Sequence, residues 1–344
     1  MKKKLLIIVL SIIGIIILKL VNNEPNSIQM ENDTTSQTNK SSNNVVIGFY
    51  NVENLFDIYD DPNTSDEEFT PFGKKQWDTE RYEKKIEDLS TVISDLSSKS
   101  NPTLMGLTEV ENHDVLSDLI KANALYKTNY KVIHRDNNDS RGIDVAAIYD
   151  ANTLNVLDYN YYIIDDLYTR DILHIEGEIA HSEHIHFFIT HWPSRRKGER
   201  ETEYKRLEVA KVLRSKIDKL LNNNPNERIV VMGDFNDEPS NRSIADYLMK
   251  TDFFNLHASY ENTKKGTVNH KGEWMVFDQI IVSNSLLNDP TYKLDKKSGK
   301  IYNHQDITFT HRDGNKVPSR TYGGPKYYGG TSDHYPVYMS IGLK

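Results

Sequence analysis

Read for its pattern of apolar and polar positions, the chain falls into three stretches. In residues 1–21 no polar stripe interrupts the pattern: after Lys2, Lys3 and Lys4, Leu5 to Leu18 run through Ile, Leu and Val with only Ser11 and Gly14 between them, and Leu20 and Val21 extend the run past Lys19. A helix packed on a globular core would keep one polar face. The segment therefore predicts a signal peptide, removed on export, or a signal anchor that stays in the membrane. The run is short for a full span unless Lys19 snorkels to the interface, and the lack of a small-x-small cleavage site after it favours the anchor. Residues 22–44 are rich in Asn, Ser, Thr and Gln, a composition that cannot offset the entropy of ordering and predicts a disordered linker. From Val45 short β-type runs alternate with helical ones, without a fixed-period repeat, which predicts one folded region over residues 45–344.

Within that region Val45 to Asn51, Thr103 to Val110, Val145 to Tyr149, Asp171 to Ile179, His184 to Trp192, Arg228 to Asp234, Phe277 to Ser283 and Pro336 to Ile341 read as strands. Helical spacing is carried by Ile86, Leu89, Ile93 and Leu96 in Asp78 to Ser97, and by Leu207, Ala210, Leu213, Ile217 and Leu220 in Glu201 to Leu221. Strands that alternate with helices, with a hairpin about Ala180 to Glu183, predict an α/β (α+β) fold of mixed sheets covered by helices.

Composition adds constraints. At 344 residues with 37% hydrophobic and 27% charged positions, the chain can bury a sizeable core. The formal charge is −8; the first 44 residues hold five lysines against three acids, so 37 basic and 47 acidic residues, or −10, remain beyond them. That sign weakens any reading as a protein that coats duplex DNA, although bound metal ions would offset part of it. The absence of cysteine excludes disulfides, thiolate metal sites and a lipid-modified N-terminal cysteine. The N-terminal lysines stay on the cytoplasmic side, so the domain is expected outside the cytoplasm, anchored to the membrane or secreted after cleavage.

Polar residues suited to metal or phosphate recur at the downstream ends of the apolar strands, where rigid sheets present active sites. Asn51, Glu53 and Asn54 end the first, Glu109 the second, His191 follows Phe188-Ile189-Thr190, and Asp234 and Asn236 follow Val230-Val231-Met232-Gly233. Asp278 precedes Ile280-Ile281-Val282, and Asp333-His334 precedes the last strand. Singly each is more often a solvated carboxylate or an Asx turn. Together they supply what a hard divalent cation and phosphate cleavage require: carboxylate and amide oxygens from several segments, a base and an orienting amide.

In this order the motifs resemble those of the endonuclease/exonuclease/phosphatase superfamily, which includes pancreatic deoxyribonuclease, apurinic endonucleases, neutral sphingomyelinases and inositol polyphosphate phosphatases. The resemblance covers roughly residues 45 to 344 and implies a four-layer α/β/β/α sandwich of two mixed sheets with the active site at one rim. It implies that Glu109 is the principal ligand of Mg²⁺ or Mn²⁺, with Ca²⁺ a further candidate, and that Asn51 and Glu53 lie near metal and phosphate. Asp234 would activate the attacking water, Asn236 would position it, Asp278 would orient His334, and Asp333 would complete the metal and water network. His191 would protonate the leaving oxygen or bind phosphate, oriented by Asp144, with Arg141 as a planar phosphate donor.

The expected activity is hydrolysis of a phosphodiester by a monomeric extracytoplasmic nuclease. The alternative keeps the centre and changes the substrate to a phosphomonoester or a phospholipid of the sphingomyelin type. A binding protein that has lost catalysis is the third reading, and the retained Glu109, Asp234, Asn236, Asp278 and His334 argue against it. Arg195 and Arg196, with Lys197 and Arg200, form a basic loop after His191 that is a solvated loop or a contact for an anionic substrate. Tyr322-Gly323-Gly324 and Tyr327-Tyr328-Gly329-Gly330 form turns, or their rings stack on a base or sugar. His181, Glu183, His184 and His186 read as an exposed hairpin rather than a zinc site.

Overall fold

The computed structural model describes residues 44–98, 100–164, 167–179 and 184–343. The N-terminal apolar segment, nearly all of the linker, and His181 and Glu183 lie outside the described residues. The principal strands are β1 (Asn44–Leu55), β2 (Leu104–Val110), β3 (Tyr130–Ile133), β4 (Asp144–Asp150), β5 (Leu154–Tyr162), β6 (Ile172–Ile179), β7 (His184–His191), β8 (Ile229–Asp234), β9 (Phe253–Asn255), β10 (Asp278–Ser283) and β11 (Val337–Leu343). The longer helices are α1 (Thr79–Asp95), α2 (His113–Lys121) and α3 (Glu199–Asn223). The eight predicted strands and both predicted helices are present, each within a few residues of its expected ends.

One sheet has seven strands: β11, β1, β2, β4 and β3 in order, with Tyr292–Lys293 and Lys300–Ile301 paired to the far side of β11. The other has six, in the order β5-β6-β7-β8-β10-β9. Each holds one parallel pair, β1 with β2 and β7 with β8, and all their other neighbours are antiparallel. A parallel pair requires a crossover, supplied by α1 in one sheet and α3 in the other. This mixed two-sheet architecture is the one the resemblance implies.

Period-two alternation explains the layers. Val45, Ile47 and Phe49 of β1 join Ile185, Phe187 and Ile189 of β7 and Val230 and Met232 of β8 in the central core. The intervening Tyr50, Val52 and Leu55 pack with Ile86, Leu89 and Ile93 of α1, while Ile229 and Val231 meet Val209, Leu213 and Ile217 of α3. At Gly106 of β2 an added Cβ would lie 3.0 Å from Ile189 Cγ2 and 3.2 Å from Phe49 Cδ2, so glycine permits the close approach of the sheets there. Asp78 caps α1 by accepting the Arg81 N–H at 3.0 Å.

Three differences from the sequence reading have physical causes. β5 is an edge strand with mostly solvated side chains, so it offers no apolar run. β1 continues to Leu55 because its pairing with β2 shifts register between Asn51 and Leu55, with Glu53 and Asn54 at φ 50° and 54°. In α3 the side chain that enters the interior is Arg206, fully buried, whereas Leu207 is half-buried.

Arg206 is buried because it has a partner. Asp237, just past β8, lies 2.7 Å from Arg206 Nε and accepts Arg195 Nη2 at 2.7 Å and the Ser243 hydroxyl. Its carbonyl accepts Gln279 Nε2 at 2.7 Å. This cluster fixes the loop that follows Asp234. Asp237→Asn would leave the Arg206 charge buried without its counter-charge, and we expect a loss of about 3–5 kcal/mol, read as a lowered urea midpoint. An unchanged midpoint would show that the ion pair does not stabilise the fold.

Candidate active site

The downstream ends of β1, β2, β7 and β8 meet at one rim, and Asp234 is at its centre. Asn51 Nδ2 donates to Asp234 Oδ2 at 3.1 Å, bridging the two sheets, and the Asn236 N–H donates to Oδ1 at 2.9 Å. His191 Nε2 lies 3.5 Å and His334 Nε2 3.9 Å from Asp234 Oδ2. The His334 Nδ1–H donates to Asp278 Oδ2 at 2.8 Å. Asp278 stands opposite Asp234 in the β8–β10 ladder, and its own N–H is held by Thr267 Oγ1 at 3.1 Å. Ser332 ties the His334 segment to β1, its hydroxyl donating to the Asn51 carbonyl at 2.6 Å and accepting the His334 N–H at 3.0 Å.

Burial and neighbours give these groups opposite tendencies. Burial pushes the Asp234 carboxyl up to about 7, with His334 opposing and Asp278 reinforcing. His334 is raised well above the usual imidazole value: burial disfavours its charge, but Asp278, Asp234 and Asp333 together outweigh it. His191 is lowered well below that value, first by burial and then by the Arg170 and Arg141 guanidinia and His334. Across one carboxylate, one imidazole is thus pushed toward its cationic form and the other toward its neutral form.

Glu109 sits at φ 64° in the β2 bulge, and its Oε2 accepts the Asn54 N–H at 3.1 Å. Its Oε1 is 4.0 Å from His191 Nε2. The concentration of oxygen donors fits a hard divalent cation. Asp234 and Glu53 are both pushed up to about 7, each chiefly by burial, with Asp333 adding to the rise at Glu53 and Lys85 opposing it. Asp234, Asp278 and His334 also offer ligand atoms within 4.8 Å of one another. With His334 Nδ1 bound to Asp278, its Nε2 is the ring nitrogen left to face a cation or a phosphoryl oxygen.

The Glu53 carboxylate accepts the N–H groups of Thr321 (2.6 Å) and Tyr322 (3.3 Å) and so braces the loop before Asp333. The side-chain oxygen of Asn51 accepts the Glu53 N–H at 3.0 Å, while its Nδ2 holds Asp234. Asp144 does not reach His191; its Oδ2 is 2.8 Å from His134 Nε2 and its Oδ1 accepts the Asn137 N–H at 3.1 Å, and His191 Nδ1 is buried without a hydrogen-bond partner. Arg195 is held by Asp237, Asn241 and the Asn236 carbonyl rather than freed for substrate. Tyr322 is buried, its hydroxyl donating to the Lys75 carbonyl at 3.0 Å and its ring edge-on to Phe69 and Trp77, so it cannot stack on a base. His184 is exposed as expected and pairs with Glu176 at 2.9 Å, but His186 is buried against His174 at 3.0 Å.

The remaining predicted residues stand at the rim. Asp333 Oδ1 lies 3.9 Å from His334 Nε2 and its Oδ2 accepts Arg320 Nη2 at 2.8 Å. Arg141 is half-exposed beside Asp139 at 3.4 Å, and the Arg196 side chain is exposed. Asn236 donates Nδ2 to the Trp192 carbonyl at 3.0 Å. Sequence reasoning missed Arg170, which is buried and joins Asp139 at 3.2 Å to the Trp192 carbonyl at 2.8 Å. It also missed Lys85, whose ammonium reaches the Glu53 carbonyl and Thr321 Oγ1. Neither residue stands at the end of an apolar run, the one signal that located the others.

The family model described as "Endonuclease/Exonuclease/phosphatase family" matches residues 46–342. No curated protein matches the sequence itself. Solved structures with the same fold include humanized D. rerio TDP2, at 13% identity over 87% of this chain and 99% of that one with a TM-score of 0.57. Truncated Caenorhabditis elegans TDP2 gives 16% identity, 88% and 98% coverage and a TM-score of 0.56. A Bacteroides thetaiotaomicron mannosyl-6-phosphatase gives 16%, 86% and 99%, and 0.55. With two mixed sheets, a rim of Glu109, Asp234, Asn236, Asp278 and His334, and a family match along almost the whole described region, this chain belongs to the endonuclease/exonuclease/phosphatase family.

Proposed function

We propose that this protein is a divalent-metal-dependent phosphodiesterase that hydrolyses nucleic acid by in-line attack of water. The observation that carries the reading is Asp234 Oδ2 flanked by His191 at 3.5 Å and His334 at 3.9 Å, with Asp278 Oδ2 2.8 Å from His334 Nδ1. Asp234, once ionised, accepts the proton of the attacking water. Asn236, anchored through Nδ2, keeps its carbonyl oxygen to orient that water. The His334 cation stabilises charge on the phosphoryl oxygens, and neutral His191 binds phosphate as a hydrogen-bond donor rather than supplying a proton. A Mg²⁺ or Mn²⁺ ion on Glu109, with Asp333 nearby, would supply Lewis-acid stabilisation of the phosphoryl group.

Among the neighbours, D. rerio TDP2 has been solved with a single-strand DNA product, and the Bacteroides protein is a mannosyl-6-phosphatase. One observation favours the second reading, a small phosphomonoester: Arg195 is committed to Asp237, so the loop keeps only Arg196, Lys197 and Arg200 for a polyanion. Hydrolysis of single-stranded DNA beside a generic phosphomonoester, with Mg²⁺, decides between them. Monoester turnover without DNA cleavage at any salt would replace the first reading with the second. No helix among the described residues is long and apolar enough to cross a membrane. The sequence of residues 1–21 supports export, and we place the domain outside the cytoplasm. Protease added to spheroplasts should digest it, and full protection would refute that placement.

Glu109→Gln should lower the rate at limiting Mg²⁺ by more than about 100-fold with an unchanged melting temperature. Parental turnover would remove Glu109 from the metal. In the metal-free protein, side-chain NMR should find His334 protonated and His191 neutral at pH 7. Because the folded His334 value lies above its unfolded one, its stabilisation is complete below about pH 6.5 and is lost as the pH rises through the folded value. Asp278→Asn should lower the His334 value and remove that alkaline loss. A neutral His334 at pH 7 would overturn the assignment.

A further inference from the structure

Lys85 is the fully desolvated ammonium of α1, and the chemistry above does not use it. Burying an ammonium costs several kcal/mol unless acceptors replace water, and an apolar residue would fill the same space on the inner face of α1. Its Nζ donates to the Glu53 carbonyl and, at 2.8 Å, to Thr321 Oγ1. The Glu53 carbonyl and the Asn54 N–H belong to one trans peptide group, so the two point in opposite directions. On the far side the Asn54 N–H donates to Glu109 Oε2 at 3.1 Å. Glu53 and Asn54 are held at φ 50° and 54° and Glu109 at φ 64°, a left-handed conformation that side chains other than glycine seldom adopt. A hydrogen bond to a charged donor polarises a peptide and strengthens its N–H as a donor.

We propose that Lys85 is a positioning residue that fixes and polarises the Glu53–Asn54 peptide, and thereby aims the Glu109 carboxylate for divalent-metal binding. The inference rests on the metal-dependent reading above. It acts through the peptide and makes Lys85 neither a ligand nor an acid. The loop of Thr321 is held by the same ammonium, since Thr321 Oγ1 donates onward to the Gly330 carbonyl at 3.0 Å. One cation therefore joins α1, the end of β1 and the segment leading to Asp333.

The test is Mn²⁺ affinity by calorimetry for the intact protein and for Lys85→Met, Lys85→Gln and Glu109→Gln, with the Mg²⁺ dependence of turnover measured in parallel. Lys85→Met should weaken Mn²⁺ binding about 10- to 100-fold, with kcat regained at saturating Mg²⁺. Lys85→Gln, which keeps a donor for the carbonyl but no charge, should fall between. Parental Mn²⁺ affinity in folded Lys85→Met overturns the proposal, and where that variant does not fold, parental affinity in Lys85→Gln overturns it equally. If Glu109→Gln keeps parental affinity, the metal reading itself fails; if only the Lys85 variants keep it, the failure is that of the peptide clamp.

Discussion

The geometry of the rim depends on how closely the two sheets pack. Gly106 of β2 lies against Ile189 of β7 where an added Cβ would be only 3.0 Å from the Ile189 methyl. Interiors packed to crystal-like density transmit such a fixed spacing, and two residues beyond Ile189 the chain delivers His191 across from Glu109. Asn51 and Asp234 can then share a hydrogen bond although they belong to different sheets. Because the four participating strands are buried on both faces for most of their length, their polar residues concentrate where the strands stop, with His186 of β7, held by His174, an exception.

That rule is also why much of the site was legible in the sequence. Val230 to Gly233 ends in Asp234, and Phe188 to Thr190 ends in His191; an apolar run closed by a metal- or phosphate-compatible residue is visible without coordinates. What could not be read has a common character. Arg206, Lys85 and Arg170 are charges whose burial depends on partners far away in sequence, and the two on helices, Arg206 and Lys85, look like part of a solvated face. The amides that Glu53 accepts, at Thr321 and Tyr322, were hidden for the same reason, since they are 268 and 269 residues away. Asp144 was given to His191 when its partner is His134, ten residues earlier, just past a short strand that the pattern does not reveal. The edge strand β5 was invisible because a strand with one solvated face and polar flanks leaves little apolar signal.

Buried charge is arranged in two different ways around the rim. Behind Asp234, the Asp237 cluster is neutralised internally by Arg195 and Arg206, which makes that loop rigid whether or not anything is bound. In front, the Glu109 carboxylate accepts a neutral peptide N–H from Asn54 and lies 4.0 Å from His191. The first arrangement serves the fold and the second leaves a carboxylate for a cationic ligand. Their separation by only one turn of chain, from Asp234 to Asp237, shows how local the division between stability and chemistry can be.

Four rim residues, Glu53, Asn54, Glu109 and Asn236, share the left-handed backbone region with none of them glycine. Such positions are narrow for sequence drift. A β-branched replacement is excluded by its own backbone sterics, and glycine would relax the turn while deleting the functional group. The shape of the chain and the chemistry of the side chain thus restrict the same positions independently, so a lineage that abandoned catalysis could take glycine at them but not a β-branched residue.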